Sequence, residues 1–384
     1  MKSEPIILFA SFGHGHEQAA LSLQKEIISS SSFEPELIDI LSWMPSLLQV
    51  GLRSSYMMMI RHKPQLWRQI FKQYTKDKVK DYKHVKWISL ALGKALSSNQ
   101  VPFVISTHPL ATWIASHIKQ QYDLRFPIFS VITDYRFHPS YITNEVDVLF
   151  TIDETAKEQL QLSEATHQTV YQTGIPISKK SIHADVDFLK NKLQVKKEQA
   201  TVMIASGGTG LIDFPKILAA LELLAEPITV LCMVGHNSHM EKKIKQMTSK
   251  HQIIVQPFTS LFIAYMKVSD VLITKPGGLT ISEAMANETP LIIYEPVAGH
   301  EEENAHILER WGVALFSKST TELLHDIQLV LTNRVMREHL ITRANHYKKP
   351  DASKEITKYI FKYLVEHPLP FYDAPLGVQS RGQG

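Results

Sequence analysis

The chain has 384 residues, 41 Lys and Arg against 38 Asp and Glu, a formal net charge of +3 and a single cysteine. That length accommodates two domains with full cores. One cysteine excludes a disulfide framework and points to a reducing compartment. No apolar run approaches the roughly 20 residues of a membrane-spanning helix, and Lys2 and Glu4 lead directly into an apolar strand, so a soluble or peripheral protein with no leader is expected.

Apolar strands alternate with amphipathic helices over most of the length, the pattern of an α/β protein with parallel sheets. A buried strand is expected at 6–10, a helix at 17–29 with Ala20, Leu23 and Ile27 on one face, and a strand at 36–40. Segment 41–98 breaks the alternation. It holds eleven cations, among them Arg53, Lys63, Lys76, Lys78, Lys80 and Lys83, and two anions, Asp77 and Asp81, a net +9 that leaves −6 for the rest. Interleaved are Trp43, Met44, Leu47, Leu48, Met57, Met58, Trp67, Ile70, Phe71 and Trp87. Cations mixed with Trp, Met and Leu fit an interfacial element for anionic lipid better than a nucleic-acid arm. The plainer alternative makes Met58, Trp67 and Ile70 core and the cations a solvated face.

Further strands are expected at 103–106, 127–132, 148–152 and 170–173, and a second α/β series at 201–205, 228–234, 253–255, 271–273 and 291–294. The lysine-rich stretch 178–199 separates the two series, with a linker near 179–181 and a helix near 185–193. The expected division is a first domain at 1–178 and a second at 179–350. An amphipathic helix at 351–367, with Ile356, Tyr359, Ile360, Tyr363 and Leu364 on one face, is expected to pack back toward the first domain. The Pro- and Gly-rich tail 368–384 should be loose.

The most informative stretch is 270–305, DVLITKPGGLTISEAMANETPLIIYEPVAGHEEENA. Gly277 and Gly278, between a strand and a helix expected at 280–287, leave backbone N–H groups bare where the helix dipole is positive, a place for a phosphate. Glu283 sits one turn into that helix, positioned to accept both hydroxyls of a ribose. Past the next strand, Gly299, Glu301 and Asn304 put polar groups on a loop within reach of a sugar. Diphosphate, ribose and sugar in that order describe a nucleotide-sugar. A second glycine loop, Ser206-Gly207-Gly208-Thr209-Gly210, follows strand 201–205.

Two other patterns are weaker. Gly13-His14-Gly15 after the first strand, with Asp39 ending the second, invites a dinucleotide reading. Gln18 occupies the place of the third glycine, however, and a lone G-x-G carries little weight. Asp185-Val186-Asp187 has the D-x-D spacing of a divalent-metal pair, but it falls in a helical stretch by the linker and reads as chance. No metal is expected.

The stretch 270–305 resembles the donor half of the monogalactosyldiacylglycerol synthase and processive diacylglycerol glucosyltransferase family. The matching residues are Asp270, Thr274, Lys275, Pro276, Gly277, Gly278, Thr280, Glu283, Ala284, Pro290, Gly299, Glu301, Asn304 and Ala305. The likeness extends over nearly all of 6–312. It implies the GT-B arrangement, two Rossmann-like α/β domains facing a central cleft, the first holding the acceptor and the second the nucleotide-sugar. Gly13, Gly15 and His16 match the family's G-x-G-H motif, which makes His16 the general base. Imidazole suits that task near neutral pH, and a positioned base is worth about 10²–10⁴ in rate.

Ser106-Thr107-His108-Pro109 and Thr133-Asp134-Tyr135-Arg136-Phe137-His138 resemble two further family elements just past strand ends. They imply Asp134 as the group that orients His16 or the acceptor, with His108 and His138 lining the acceptor groove beside Gly13 and Gly15. Tyr141 stands where the family often has Trp, and Thr173-Gly174-Ile175-Pro176 matches the element that closes the first domain. On the donor side the implied contacts are Gly207, Gly208, Thr209, Gly235, Asn237, Lys275, Gly277, Gly278, Thr280, Glu283, Glu301 and Asn304. Gly235 and Asn237 should border the base. Two glycine loops with the Thr209 and Thr280 hydroxyls should take up the leaving group's charge in place of a metal. One position departs: His300 stands where the family usually has Gln, so the identity of the sugar is left open.

The function implied is an inverting, metal-independent glycosyltransferase that moves a hexose from a UDP-sugar to a lipid hydroxyl of the diacylglycerol type. UDP-sugar is the donor substrate and no cofactor is expected. The partners are the lipid acceptor and, through 41–98, an anionic membrane surface on the cytoplasmic side; nucleic acid is not one of them. The alternatives are transfer to another amphiphile or small-molecule acceptor, and a non-catalytic sensor of UDP-sugar and membrane. The sensor would need Glu283 but no base at His16.

Overall fold

The computed structural model describes residues 4–63, 65–66, 68–69, 86–98, 100–153, 155–162, 168–178, 185–205, 207–208 and 212–368. The chain divides into two compact units: one takes in Met1–Phe12, His16–Ile177 and the C-terminal segment from Asp351, and the other takes in Ser178–Pro350 with Gly13–Gly15.

In the first unit, six parallel strands lie in the order β2-β1-β3-β4-β5-β6. They are β1 (Ile6–Phe9), β2 (Glu36–Asp39), β3 (Val104–Ser106), β4 (Ile128–Val131), β5 (Val148–Thr151) and β6 (Thr169–Gln172). The helices are α1 (His14–Ser30), α2 (Ser46–His62), α3 (Lys86–Ser98), α4 (Pro109–Gln121) and α5 (Ala156–Leu162). The two-residue period of β1 is why both sheet faces need cover. Ile6, Leu8 and Ala10 enter a core with Ile88 and Leu92 of α3 and Ile114 and Ile118 of α4. Ile7 and Phe9 enter the opposite core with Leu23 and Ile27 of α1 and with Ile356 and Ile360 of the C-terminal helix, Ala352–Glu366. That helix is also held by a Tyr171–Tyr359 ring stack at 3.8 Å and by the Tyr363 hydroxyl, which donates to Asp147 at 2.9 Å.

The second unit repeats the plan with β7 (Thr201–Ala205), β8 (Thr229–Gly235), β9 (Gln252–Pro257), β10 (Val271–Thr274), β11 (Leu291–Tyr294) and β12 (Ala314–Ser317), ordered β12-β11-β10-β7-β8-β9. Its helices are α6 (Val186–Lys192), α7 (Phe214–Leu221), α8 (Ser238–Lys245), α9 (Phe262–Lys267), α10 (Gly278–Ala286), α11 (His300–Trp311), α12 (Thr320–Thr332) and α13 (Arg334–Tyr347). Val202, Ile204, Val230, Cys232, Val271, Ile273 and Ile292 share one core with Phe214 and Ile217 of α7 and Leu323 and Ile327 of α12. Burial raises the Cys232 thiol well above its usual range, which makes it an inert core residue.

Because every strand pairing is parallel, all strand C-termini in a sheet share one edge. The strand order reverses between β1 and β3 in the first sheet and between β7 and β10 in the second. Ligands of open α/β sheets bind outside the C-terminal edge at such reversals. The two places to inspect are therefore the loops after β1 and β3 and the loops after β7 and β10.

Some elements differ from the sequence reading. Glu301 and Asn304 lie on helix α11 rather than a loop. The helix starts early because Glu301, Glu302 and Glu303 fill its first turn and the Glu302 carboxylate accepts from Gly299 N–H at 3.0 Å. Strand β12 was not expected; it is a four-residue edge strand in which Leu315 and Phe316 are only half-buried. Of the basic segment, Lys76, Lys78, Lys80, Lys83, Trp67, Ile70 and Phe71 lie outside the described residues, as do the expected linker near 179–181 and the tail from 369. Among the described residues no helix is long and apolar enough to cross a membrane.

Candidate functional site

At the reversal point of the first sheet, β1 runs into Ser11–Gly13 and then α1, whose third residue is His16. The imidazole is fixed from two directions. Its Nδ1 lies 2.7 Å from the Thr107 carbonyl, at the end of β3, and 2.9 Å from the Thr133 hydroxyl, at the end of β4. A carbonyl oxygen only accepts, so Nδ1 carries the hydrogen and the lone pair of the neutral ring sits on Nε2. The Thr107 hydroxyl in turn donates to the His16 carbonyl at 3.0 Å, which locks the two loops together. The His108 ring stands edge-on to His16 at 4.5 Å.

The neighbouring candidates divide by what their side chains already do. His108 caps α4: its Nδ1 accepts from Leu110 N–H at 3.1 Å, so in the neutral ring Nε2 is the donor. His138 Nδ1 likewise accepts from Ser140 N–H at 3.1 Å and shapes the turn Pro139–Tyr141. Asp134 follows Thr133 directly. Tyr141 is fully buried, and burial first, then the Asp134 charge, raises its phenol above the usual range. His16 Nδ1 thus meets oxygens of Thr107 and Thr133, two partners that the sequence did not suggest. The carboxylate of Asp39 is committed to the loop: it accepts from Ser11 N–H at 3.2 Å, from the Ser11 hydroxyl and from Leu41 N–H at 3.0 Å. An acid so engaged is a clamp on the loop after β1, which removes the dinucleotide reading of Asp39.

In the second unit the loops after β7, β8, β10 and β11 share one sheet edge. Gly277 caps α10, whose first turn contains no acid, and Gly277 N–H closes the Lys275-Pro276-Gly277 turn by donating to Lys275 O at 2.8 Å. Thr280 and Glu283, three residues apart, share a face of α10. Glu283 is 8% exposed, and burial pushes its carboxyl up to about 8. An acid buried without a charge partner is costly, and two donor hydroxyls of a ligand would offset that cost. Gly207 and Gly235 both have left-handed backbones (φ 60° and 61°). A side chain on Gly235 would stand 2.5 Å from Gly208 O, which accepts from His236 N–H at 3.0 Å, so the close approach of the loops after β7 and β8 depends on glycine at 235. Thr209 lies outside the described residues.

Asn237 caps α8 by accepting from Met240 N–H at 3.0 Å. Asn304 is fully buried and donates to Pro276 O at 3.1 Å, tying α11 to the glycine turn. The Glu301 carboxylate accepts from Val297 N–H at 2.6 Å and shapes the loop after β11. That loop begins at Glu295, a left-handed residue (φ 50°) whose carboxylate meets Lys216 at 3.3 Å and Asp213 N–H at 3.2 Å. Asp185, the first member of D-x-D, caps α6 by accepting from Asp187 and Phe188 N–H groups. Among the described residues no group of three or more His, Cys, Asp and Glu side chains is placed to hold a metal ion.

One residue was missed in the sequence. Phe258 follows β9, is half exposed, and stacks on His236 at 4.6 Å with 13° between the rings. With Gly235, Ser238, Glu241 and Pro257 the two rings line a depression of about 260 Å3. An aromatic placed directly after a strand end was the available signal.

Comparison with known proteins adds three findings. Residues 16–177 match the family model described as monogalactosyldiacylglycerol (MGDG) synthase, and residues 186–347 match glycosyl transferases group 1. A processive diacylglycerol beta-glucosyltransferase of Bacillus thuringiensis (strain Al Hakam) is 26% identical over 347 residues, 86% of this chain and 88% of the relative. One of Bacillus cytotoxicus is 25% identical over 333 residues, 85% of each. Among solved structures, Acinetobacter baumannii MurG superposes with a TM-score of 0.61 at 14% identity, over 94% of this chain and 100% of that one. Phytolacca americana UGT2, complexed with UDP-2fluoro-glucose and pterostilbene, gives 0.62 at 14% identity with the same coverage.

Proposed function

We propose that this chain, which has the GT-B fold and matches the monogalactosyldiacylglycerol synthase model over 16–177 and the glycosyl transferases group 1 model over 186–347, transfers a hexose from a UDP-sugar to a diacylglycerol-type hydroxyl with inversion. The observation that carries the chemistry is the 2.7 Å contact of His16 Nδ1 with the Thr107 carbonyl, which puts the hydrogen of the neutral ring on Nδ1 and makes Nε2 the proton acceptor. As the acceptor oxygen bonds to the anomeric carbon, its proton passes to His16 Nε2, and the bond from that carbon to the UDP oxygen breaks. Attack from the face opposite the leaving group inverts the centre. The negative charge gained by UDP falls on the backbone N–H groups around Gly207–Gly208 and at the start of α10, and on the hydroxyls of Thr209 and Thr280. Glu283 accepts the ribose hydroxyls, Lys275 stands beside the diphosphate, and the base lies against the His236–Phe258 depression bordered by Gly235 and Asn237. In this reading Glu301 and Asn304 act by shaping the sugar-side loop, while His108 and His138 line the acceptor side with Gly13 and Gly15.

The acceptor is a lipid because the relatives named above are diacylglycerol glucosyltransferases and because α2 is built for a membrane surface. Leu47 is 86% exposed, Val50 64% and Met58 63%, on a helix within the +9 segment. Exposed apolar side chains among cations favour an anionic bilayer, each cation contributing about 1 kcal/mol near the surface. The enzyme is then peripheral to the cytoplasmic face. The test is to isolate the lipid product, read its anomeric configuration by NMR, and repeat the reaction with a metal chelator. An inverted anomer and undiminished turnover in chelator are expected. A retained anomer would contradict the single displacement, and a chelator-sensitive rate would contradict the metal-free leaving-group site.

A further inference from the structure

On the basis that His16 is the base, we propose that Thr133 is its positioning residue, doing with a hydroxyl what an acid does in other base pairs. Thr133 is buried at the end of β4, 117 residues from His16 in sequence, and its Oγ1 sits 2.9 Å from Nδ1. The Thr107 carbonyl at 2.7 Å already accepts the Nδ1 hydrogen, so the threonine oxygen shares it from a second side. Two oxygens on one N–H fix the ring plane, and therefore the direction of the Nε2 lone pair. They also act on charge. When Nε2 takes the acceptor proton the ring becomes a cation, and both dipoles then face a positive Nδ1–H. The stabilisation grows as the reaction proceeds, which is what raises turnover rather than binding. The titratable groups on the surrounding elements are His14 and Glu17 on α1, His108 ahead of α4, and Asp134, Arg136 and His138 with buried Tyr141 after β4. His108 presents its ring edge, and its Nδ1 is occupied by Leu110 N–H. Thr133→Val keeps the shape and removes an oxygen that faces both His16 Nδ1 and the buried Tyr141 phenol, so Thr133→Ser, which restores it, is the control.

The experiment compares Thr133→Val, Thr133→Ser and His16→Ala for kcat, UDP-sugar KM, the pH profile of kcat and thermal midpoint. Losing a hydrogen bond to a group that becomes charged predicts that Thr133→Val lowers kcat about tenfold. Its acid limb moves to lower pH, because the protonated ring has lost a stabilising oxygen. UDP-sugar KM and thermal midpoint stay near wild type, and Thr133→Ser recovers most of the rate. Wild-type kcat and acid limb in a folded Thr133→Val, with His16→Ala inactive, would overturn the role of Thr133 alone. So would a serine variant as slow as the valine. A His16→Ala enzyme with normal turnover would overturn the base assignment itself, and this proposal with it. Should the valine variant not fold, the nitrogen NMR shifts of His16 in the wild-type and serine enzymes decide: protonation at Nε2 rather than Nδ1 in the neutral ring contradicts the arrangement.

Discussion

Glu283 shows how one side chain ties stability to binding. With no charge partner to lower it, burial raises its folded-state carboxyl from 4.5 to about 8. Below the unfolded value the acid is neutral in both states and imposes no penalty. As pH rises toward the folded value, the unfolded chain releases the proton while the folded one keeps it, so stability is lost across that window. Glu283→Gln should therefore raise the thermal midpoint more at pH ~8 than at pH ~5, where an amide and a protonated acid are nearly equivalent. Above the folded value, where the acid is ionised, the same variant and Glu283→Ala should weaken UDP binding more than tenfold, since hydrogen bonds to a charged acceptor are worth about 1.5–3 kcal/mol each. Calorimetry showing wild-type UDP affinity in the folded alanine variant would remove Glu283 from the ribose site. Glu283 was legible in the sequence because its distance from Gly277 is local, a matter of helix spacing. Thr107 and Thr133 were not legible as partners of His16, being 91 and 117 residues away. Only the pairing of β1 with β3, and of β3 with β4, brings the three together.

At the scale of elements, strands with every residue buried declared themselves by continuous apolar runs, as at Thr201–Ala205 and Leu291–Tyr294. Strand β12 was overlooked although 313–316 is itself an apolar run, being a short, half-buried edge strand that follows the Gly312 helix stop directly. Glu301 and Asn304 were read as loop residues because their chemistry suggested a ligand. They lie on α11, where Glu301 holds Val297 N–H and Asn304 holds Pro276 O. Helix α2 is the opposite case, since Met58 was a candidate for core and stands 63% exposed. Replacing Leu47, Leu48 and Val50 together with Gln should weaken binding to anionic vesicles at least tenfold, a fully buried Leu or Val being worth about 1.5–3 kcal/mol. Thermal midpoint should stay near wild type, because these side chains have little packing to lose. Vesicle co-sedimentation at low and high salt decides the matter. Equal pelleting by wild type and variant, or equal pelleting on neutral and anionic vesicles, would make α2 and its cations a solvated face.

For the whole molecule, two α/β series were readable from alternation alone, and each places its candidate loops where the strand order reverses. The first sheet puts a tautomer-fixed histidine there, and the second puts glycine turns and a buried acid. A catalyst needs both. A sensor of nucleotide-sugar needs only the second, and a dinucleotide enzyme would not spend Asp39 on a loop clamp. The most direct test is transfer itself, with labelled UDP-hexoses and vesicles of diacylglycerol and anionic lipid, separating organic from aqueous label for wild type, His16→Ala and Glu283→Ala. The account predicts label in a glycolipid with wild type. His16→Ala should lose at least about 10²-fold in turnover while still binding UDP, and Glu283→Ala should fail through loss of UDP affinity. Label that stays in the aqueous phase with every UDP-hexose, or a His16→Ala enzyme that glycosylates lipid at the wild-type rate, would contradict it.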